Sequence, residues 1–347
     1  QPVAALEPVS TQEKMSSWSL PPRCARFLLW NFIYLSWLGR ASSFANRTPR
    51  WPSRPSSVPR RISSDDSVHS QVESLLSSLG NDRETILGGT KVHIIGTGLS
   101  DRVADLPLRT LFILSRSDVV LHDALSLPEE EIRRVVSPKC VVRSVGKRGD
   151  DKKSMKQKDI DEMLLKYATD DSHDVVVRLK GGDPFLFGRS RTEIEAIRKS
   201  SIGYQVTPNL SSCVAGPHFG GIPLTDPILG AQSFAVFSGT DAGGKGAGES
   251  GRDWESMDVD TLVFLMIGRL DKLSLLCEKI SERGIRWSSQ SLCAVVQNAG
   301  KPRQRVWRGT LGNLGDVIRT DLGKEVLTVS PAILVVGPTA ALDLGGN

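Results

Sequence analysis

The chain has 347 residues, 39% hydrophobic and 24% charged, the balance of a soluble globular protein with room for two domains. Its formal charge of +5 is unevenly placed: residues 1–64 carry nine Lys or Arg against two Glu, and the remainder carries 35 basic against 37 acidic side chains. The basic excess belongs to the leader, which removes the charge argument for a nucleic-acid partner. Cysteines stand at 24, 140, 213, 277 and 293, odd in number and without CxxC spacing, so they read as thiols and not as a disulfide framework. The five histidines show no HxxxH or HExxH spacing, and no metal site is expected.

Within the leader, Arg23 and Arg26 precede the apolar run FLLWNFIYLSWL at 27–38. That run is too short for an ordinary membrane span and suits the core of a signal peptide. A segment rich in Ser, Pro and Arg follows, with no acidic residue before Asp65, as in transit peptides. With the small-residue junction ASSFA around Phe44, the leader resembles the bipartite presequences that direct proteins into complex plastids. The mature protein is then expected to be soluble and free of the membrane. The other reading is a disordered tail with one chance apolar run. On either reading, residues 1–85 are expected to stand outside the fold.

From residue 91 the pattern changes. KVHII at 91–95 is a short apolar strand broken by Gly96-Thr97-Gly98. Residues 106–117 read as a helix, with Leu108, Leu111, Phe112 and Leu114 at helical spacing. Strands follow at 118–121, 140–145, 175–179 and 204–207, separated by helices at 129–136, 156–168 and 192–200. Such alternation, with strands that are continuous apolar runs, predicts a parallel sheet covered on both faces. Beyond a boundary near Pro208-Asn209, residues 211–219 read as a helix, 233–238 and 261–266 as strands, 271–283 as a helix, and 291–297, 305–309 and 332–336 as strands. The glycine-rich stretch at 241–251 reads as a loop. The expected organisation is a leader (1–85) and two α/β domains (86–208 and 209–347).

Ligands of open α/β sheets bind beyond the carboxyl ends of the strands. Here those ends carry Gly96-Thr97-Gly98, His122-Asp123, Gly146-Lys147-Arg148 and Gly181-Gly182-Asp183. Any one could be a tight turn; four at one edge point to a site. The first is no dinucleotide fingerprint, since the third glycine of GxGxxG would fall at Asp101, and no GK[ST] follows for a P-loop. Asp183 is either a turn former or an acceptor for a ligand's ammonium or hydroxyl group. Asp123 is either a cap or a general base. Lys147-Arg148 is either a solvated pair or a grip for carboxylates. Cys213, at a predicted helix start, is either an activated or a buried structural thiol.

The motif VVVRLKGGDPFLFGR at 175–189, with VVLHDAL, VGKR, TPNLSS, GGIPLTDP, TLVFLMIG, QNAGKPRQRVWRGTL and PAILVVG in order, resembles the tetrapyrrole (corrin/porphyrin) methyltransferases over residues 91–338. The agreement is greatest with members acting on uroporphyrinogen III. The resemblance implies an α/β fold of two domains with the active-site cleft between them, a homodimer, and S-adenosylmethionine as methyl donor without a metal. It implies methylation of uroporphyrinogen III at C2 and then C7 to precorrin-2, feeding sirohaem or corrinoid synthesis. A related methylase with another acceptor and a non-catalytic binding homologue are the rival readings. By motif, Asp123 and Lys147 match the proton acceptor and donor. Leu99, Gly181, Gly182, Asp183, Leu186, Ser211, Ser212, Met266 and Ala299 match cofactor-binding positions. Arg148, Arg178 and Arg189 are candidate cations for the substrate's carboxylates, Arg178 equally a structural residue within its strand. Two departures stand out. The family's Gly-x-Gly-Pro-Gly-Asp loop is here Gly96-Thr97-Gly98-Leu99-Ser100-Asp101, and its Pro-Gly turn is Pro208-Asn209, a milder change because Asn tolerates a left-handed conformation.

Overall fold

Runs of β-branched and aliphatic residues between the helices make the first sheet. In a computed structural model of the chain, residues 68–78, 86–146, 155–240, 257–283, 286–323 and 325–345 are described. Helix α1 (Val68–Ser78) precedes strand β1 (Val92–Gly96). Then come α2 (Leu108–Ser115), β2 (Val119–His122), α3 (Glu129–Arg133), β3 (Val141–Ser144), α4 (Gln157–Thr169), β4 (Val176–Lys180), α5 (Ser190–Lys199) and β5 (Tyr204–Thr207). The five strands are all parallel, in the order β3-β2-β4-β1-β5. β1, β2 and β4 are buried along their whole length, which accords with their mostly apolar sequence; His93, His122, Arg178 and Lys180 are their buried polar members. One face packs Val120, Val142, Val177 and Leu179 with α2 and α3; the other packs Ile94, Leu121 and Val176 with Ile160 and Leu164 of α4 and Ile194 and Ile197 of α5.

The second sheet begins after α6 (Ser212–Phe219). It comprises β6 (Phe234–Ser238), β7 (Thr261–Leu265), β8 (Leu292–Gln297), β9 (Arg305–Thr310) and β10 (Ala332–Val336), in the order β6-β7-β10-β8-β9. β6 and β7 are parallel; β10 runs antiparallel to both β7 and β8, and β9 antiparallel to β8. α7 (Leu270–Arg283) and α8 (Leu314–Leu322) supply Leu273, Leu276, Ile280, Leu314 and Ile318 to the core on one face. On the other face, Cys213 of α6 packs with Val263, Leu265, Ala294, Val296 and Ile333. Both sheets lie in one compact unit, Ile62–Asn347.

The architecture differs from the sequence expectation in two elements. α1 falls within the stretch assigned to the leader, yet Val72 is buried in the first sheet's core with Phe112 and Ile113. The leader assignment therefore does not extend to residue 85; an amphipathic turn with an apolar residue on its inner face adds a layer over α2. α8 was not expected: Gly312, Gly315 and Gly323 mask it, although Leu314, Ile318 and Leu322 recur every four residues along one face. The rest of the leader, the glycine-rich stretch and Lys147-Arg148 lie outside the described residues.

Candidate active site

Because the first sheet is parallel, the exits of β1, β2, β3 and β4 share one edge. The exits of β1 and β4 are joined. Gly98 and Gly182 form an antiparallel bridge, the Gly98 N–H donating to the Gly182 carbonyl at 3.2 Å and the Gly182 N–H to the Gly98 carbonyl at 2.8 Å. Thr97 adds its N–H (2.9 Å) and hydroxyl (3.1 Å) to the Lys180 carbonyl. Gly182 has φ +70°, where a side chain is disfavoured. At Gly181 a Cβ would lie 2.8 Å from the Leu125 carbonyl oxygen in the loop after β2. The glycine pair thus has a packing reason of its own: three backbone segments converge there.

Asp183 closes the turn that follows. Its Oδ1 accepts from the Phe185 and Leu186 N–H groups (2.8 and 3.1 Å), and its Oδ2 from the Asn209 N–H at 3.3 Å. Of its two readings, the turn former is what the structure displays. Phe185, Leu186 and Phe187 are exposed by 68, 41 and 41%, so this run is not packed into the core. Phe187 and Arg189 are both left-handed, and Arg189 is exposed and makes no ion pair among the described residues. Asn209 is not left-handed, so the tolerance of Asn for that conformation goes unused. Its side chain instead donates from Nδ2 to the Gly96 carbonyl (3.1 Å) and accepts at Oδ1 from the Leu210 N–H (2.8 Å), tying the β5 exit to the β1 exit.

The altered loop after Gly98 is held by side chains where the family pattern has Pro-Gly. The Ser100 hydroxyl donates to the Asp105 carboxylate and accepts from the Arg102 N–H, and Glu131 of α3 accepts from the Val103 N–H at 2.9 Å. Leu99 packs half-buried against the second sheet's cluster of Cys213, Leu265 and Ala299. Ser211 caps α6 by accepting from the Cys213 N–H, and Ser211 and Ser212 lie beside Gly182, within 3.8 Å of where its Cβ would be. Cys213 itself is buried, in keeping with a structural thiol. Met266 follows β7 with φ +58° and is 46% exposed; Ala299 is buried between Asn298 and Gly300, both left-handed. The structure therefore brings Leu99, Gly181, Gly182, Asp183, Ser211 and Ser212 together and joins Ala299 to them through the cluster that Leu99 and Cys213 of α6 share; Met266 is one residue beyond Leu265 of that cluster.

Of the two readings of Arg178, the structural residue is what the structure displays. Arg178 pairs in register with Ile94 and Leu121, so it points to the α4–α5 face, and its side chain is fully buried. Nη2 donates to Asp123 Oδ1 at 2.5 Å, Nε to Glu193 Oε1 at 3.1 Å, and Nη1 to the Leu179 carbonyl at 2.7 Å. A guanidinium so occupied is no grip for substrate carboxylates. Lys180, two residues on and on the same face, donates to Glu193 Oε2 at 2.8 Å. Burial favours loss of the Arg178 proton, but the Asp123 and Glu193 carboxylates outweigh it and hold its pKa above the ordinary value. Burial lowers the pKa of Lys180, and the adjacent Arg178 charge lowers it further; the Glu193 and Asp123 carboxylates do not compensate. Asp123 keeps 12% of its side chain exposed, and its Oδ2 accepts no hydrogen bond among the described residues. His122 is buried with neither ring nitrogen partnered among the described residues, and burial lowers its pKa.

Residues 91–315 match the family model of tetrapyrrole (corrin/porphyrin) methylases. A uroporphyrinogen-III C-methyltransferase of Synechococcus elongatus is 32% identical over 253 residues, 73% of this chain and 94% of that protein. One from Methanocaldococcus jannaschii is 32% identical over 247 residues, 71% of this chain and 95% of its own length. The chain belongs to the tetrapyrrole methylases. Among solved structures, the methylase has the fold of uroporphyrin-III C-methyltransferase from Thermus thermophilus, there complexed with S-adenyl homocysteine. That match has a TM-score of 0.56 and 28% identity, and covers 72% of this chain and 98% of that one. The residues of this methylase fit such a ligand. Exposed Leu186 and Met266 offer apolar surface suited to a base, and Gly98 and Gly182 carry no side chain that would bar the approach of a polar tail. Sequence reasoning missed Glu193 and Lys180. Both were legible: Glu193 shares a helix face with Ile194 and Ile197, and Lys180 alternates in phase with Val176 and Arg178.

Proposed function

We propose that this methylase transfers two methyl groups to uroporphyrinogen III, at C2 and then C7, giving precorrin-2. S-adenosylmethionine supplies an electrophilic methyl on its sulfonium, so the protein needs no nucleophile of its own. The chain's task is to hold a pyrrole carbon in line with that methyl group and to receive the proton that the alkylated, cationic ring must shed. The observation that carries the reading is Asp123: a carboxylate at the sheet's C-terminal edge, one oxygen held by Arg178 and the other uncommitted among the described residues. The joined Gly98–Gly182 loops, Asp183 and the exposed Leu186 and Met266 form the cofactor side. Arg189, which is exposed, is our candidate partner for a substrate carboxylate, and Lys147 and Arg148 are further candidates for the substrate side. Incubation of the protein with S-adenosylmethionine and enzymatically made uroporphyrinogen III is expected to yield a product two methyl groups heavier by mass spectrometry. Cofactor binding without any mass gain would reject the reading in favour of a silent binding homologue.

A further inference from the structure

Glu193, Lys180, Arg178 and Asp123 form a chain of charges running from beneath α5 to the sheet's active-site edge. Three members are sealed: the side chains of Arg178 and Glu193 are 0% exposed and that of Lys180 is 1% exposed. Asp123 alone among the four has appreciable solvent access. Burying such ions costs several kcal/mol each, and apolar residues of similar volume commonly serve stability as well or better. The surrounding face is built in that apolar way, with Ile94, Leu121, Val176 and Ile194. Stability therefore gives no reason for the charges, whereas their direction does: the chain ends on one oxygen of one carboxylate where chemistry is expected.

We propose that Glu193 is a positioning residue for methyl transfer: acting through Arg178, it fixes the Asp123 carboxylate with Oδ1 committed to Nη2 and Oδ2 left to accept the proton. The proposal rests on the assignment of Asp123 as the base. Lys180 engages the second oxygen of Glu193, which keeps Oε1 turned toward Arg178 Nε. Gln157 of α4 also reaches Glu193 Oε1, at 3.4 Å, and bonds Asp161 on its own helix. His122 pairs in register with Leu179 on the other face, beside Glu129, and burial keeps it neutral near pH 7.

Kinetics of Glu193→Gln, Asp123→Asn and the double variant test the proposal. Glu193→Gln is expected to lower kcat about tenfold to a hundredfold while leaving KM for S-adenosylmethionine and Kd for S-adenosylhomocysteine unchanged. In the Asp123→Asn background it is expected to have no further effect, because its action passes through that carboxylate. Lys180→Gln combined with Glu193→Gln preserves neutrality, is expected to show the same kcat loss, and keeps the proposal refutable where the single variant does not fold. A kcat within about twofold of wild type in the folded variant, or equal proportional losses in both backgrounds, would overturn it. Full turnover by Asp123→Asn would instead remove the base assignment beneath it.

Discussion

Asn209→Gly restores the residue of the family pattern, and the structure expects it to weaken this protein. Two side-chain hydrogen bonds disappear, Nδ2 to the Gly96 carbonyl and the Leu210 N–H to Oδ1. For a half-buried side chain each contributes about 0.5–1.5 kcal/mol net. Glycine then adds about 0.5–1 kcal/mol of chain entropy, with no relief in return because residue 209 is not left-handed. The sum is about 1.5–4 kcal/mol, or a fall in Tm of about 3–7 °C for a unit of this size. The loss is concentrated where the β1 and β5 exits meet, so affinity for S-adenosylhomocysteine is expected to fall as well. Urea unfolding followed by circular dichroism reads the first effect, and titration calorimetry the second. Asn209→Asp, which keeps Oδ1 but turns an oxygen on the Gly96 carbonyl, is expected to be at least as damaging. An unchanged urea midpoint and unchanged affinity for Asn209→Gly would refute the reasoning.

Gly181→Ala places a Cβ 2.8 Å from the Leu125 carbonyl oxygen, and backbone cannot yield there as a flexible side chain would. A cost of about 1–3 kcal/mol and weaker S-adenosylhomocysteine binding are expected, measured by thermal unfolding and calorimetry; a neutral effect would remove the packing reason for this glycine. His93 is buried on β1 with Nε2 at 3.0 Å from the Thr90 carbonyl, and burial lowers its pKa to about 4. The unfolded ring binds a proton near 6.5, so its contribution to stability is full above that pH and is lost as the pH falls toward 4. The loss amounts to about 3 kcal/mol. His93→Leu is expected to flatten the pH dependence of unfolding free energy in that window, and parallel wild-type and variant curves would contradict it.

The first sheet was legible because its central strands are buried on both faces and read as mostly apolar runs such as VVVRL and KVHII. The site's location followed from the parallel order, which forces the glycine and aspartate exits to one edge. What the sequence concealed were relationships across distance. Arg178 read equally as a cleft cation or a structural residue because a strand's sequence does not say which helix covers which face; Glu193 on the buried face of α5 makes it an interior ion. Asn209 read as a tolerated turn residue, since nothing local shows that its amide reaches Gly96. Leu99-Ser100 read as the loss of a rigid Pro-Gly; the structure replaces covalent stiffness with the Asp105 and Glu131 contacts and an apolar anchor on the second sheet.

The Gly98–Gly182 bridge also bears on how this protein could be recombined with its relatives. Two loops that exchange backbone hydrogen bonds, with Asn209 pinned to the strand end beside them, are a single heritable module despite lying more than eighty positions apart. A chimera that imports the Gly-Pro-Gly loop alone would mate it with a β4 exit shaped for a different partner. Grafts should therefore carry residues 96–105, 181–189 and 208–212 together, and crossovers placed between them should yield fewer folded progeny than crossovers elsewhere in the chain.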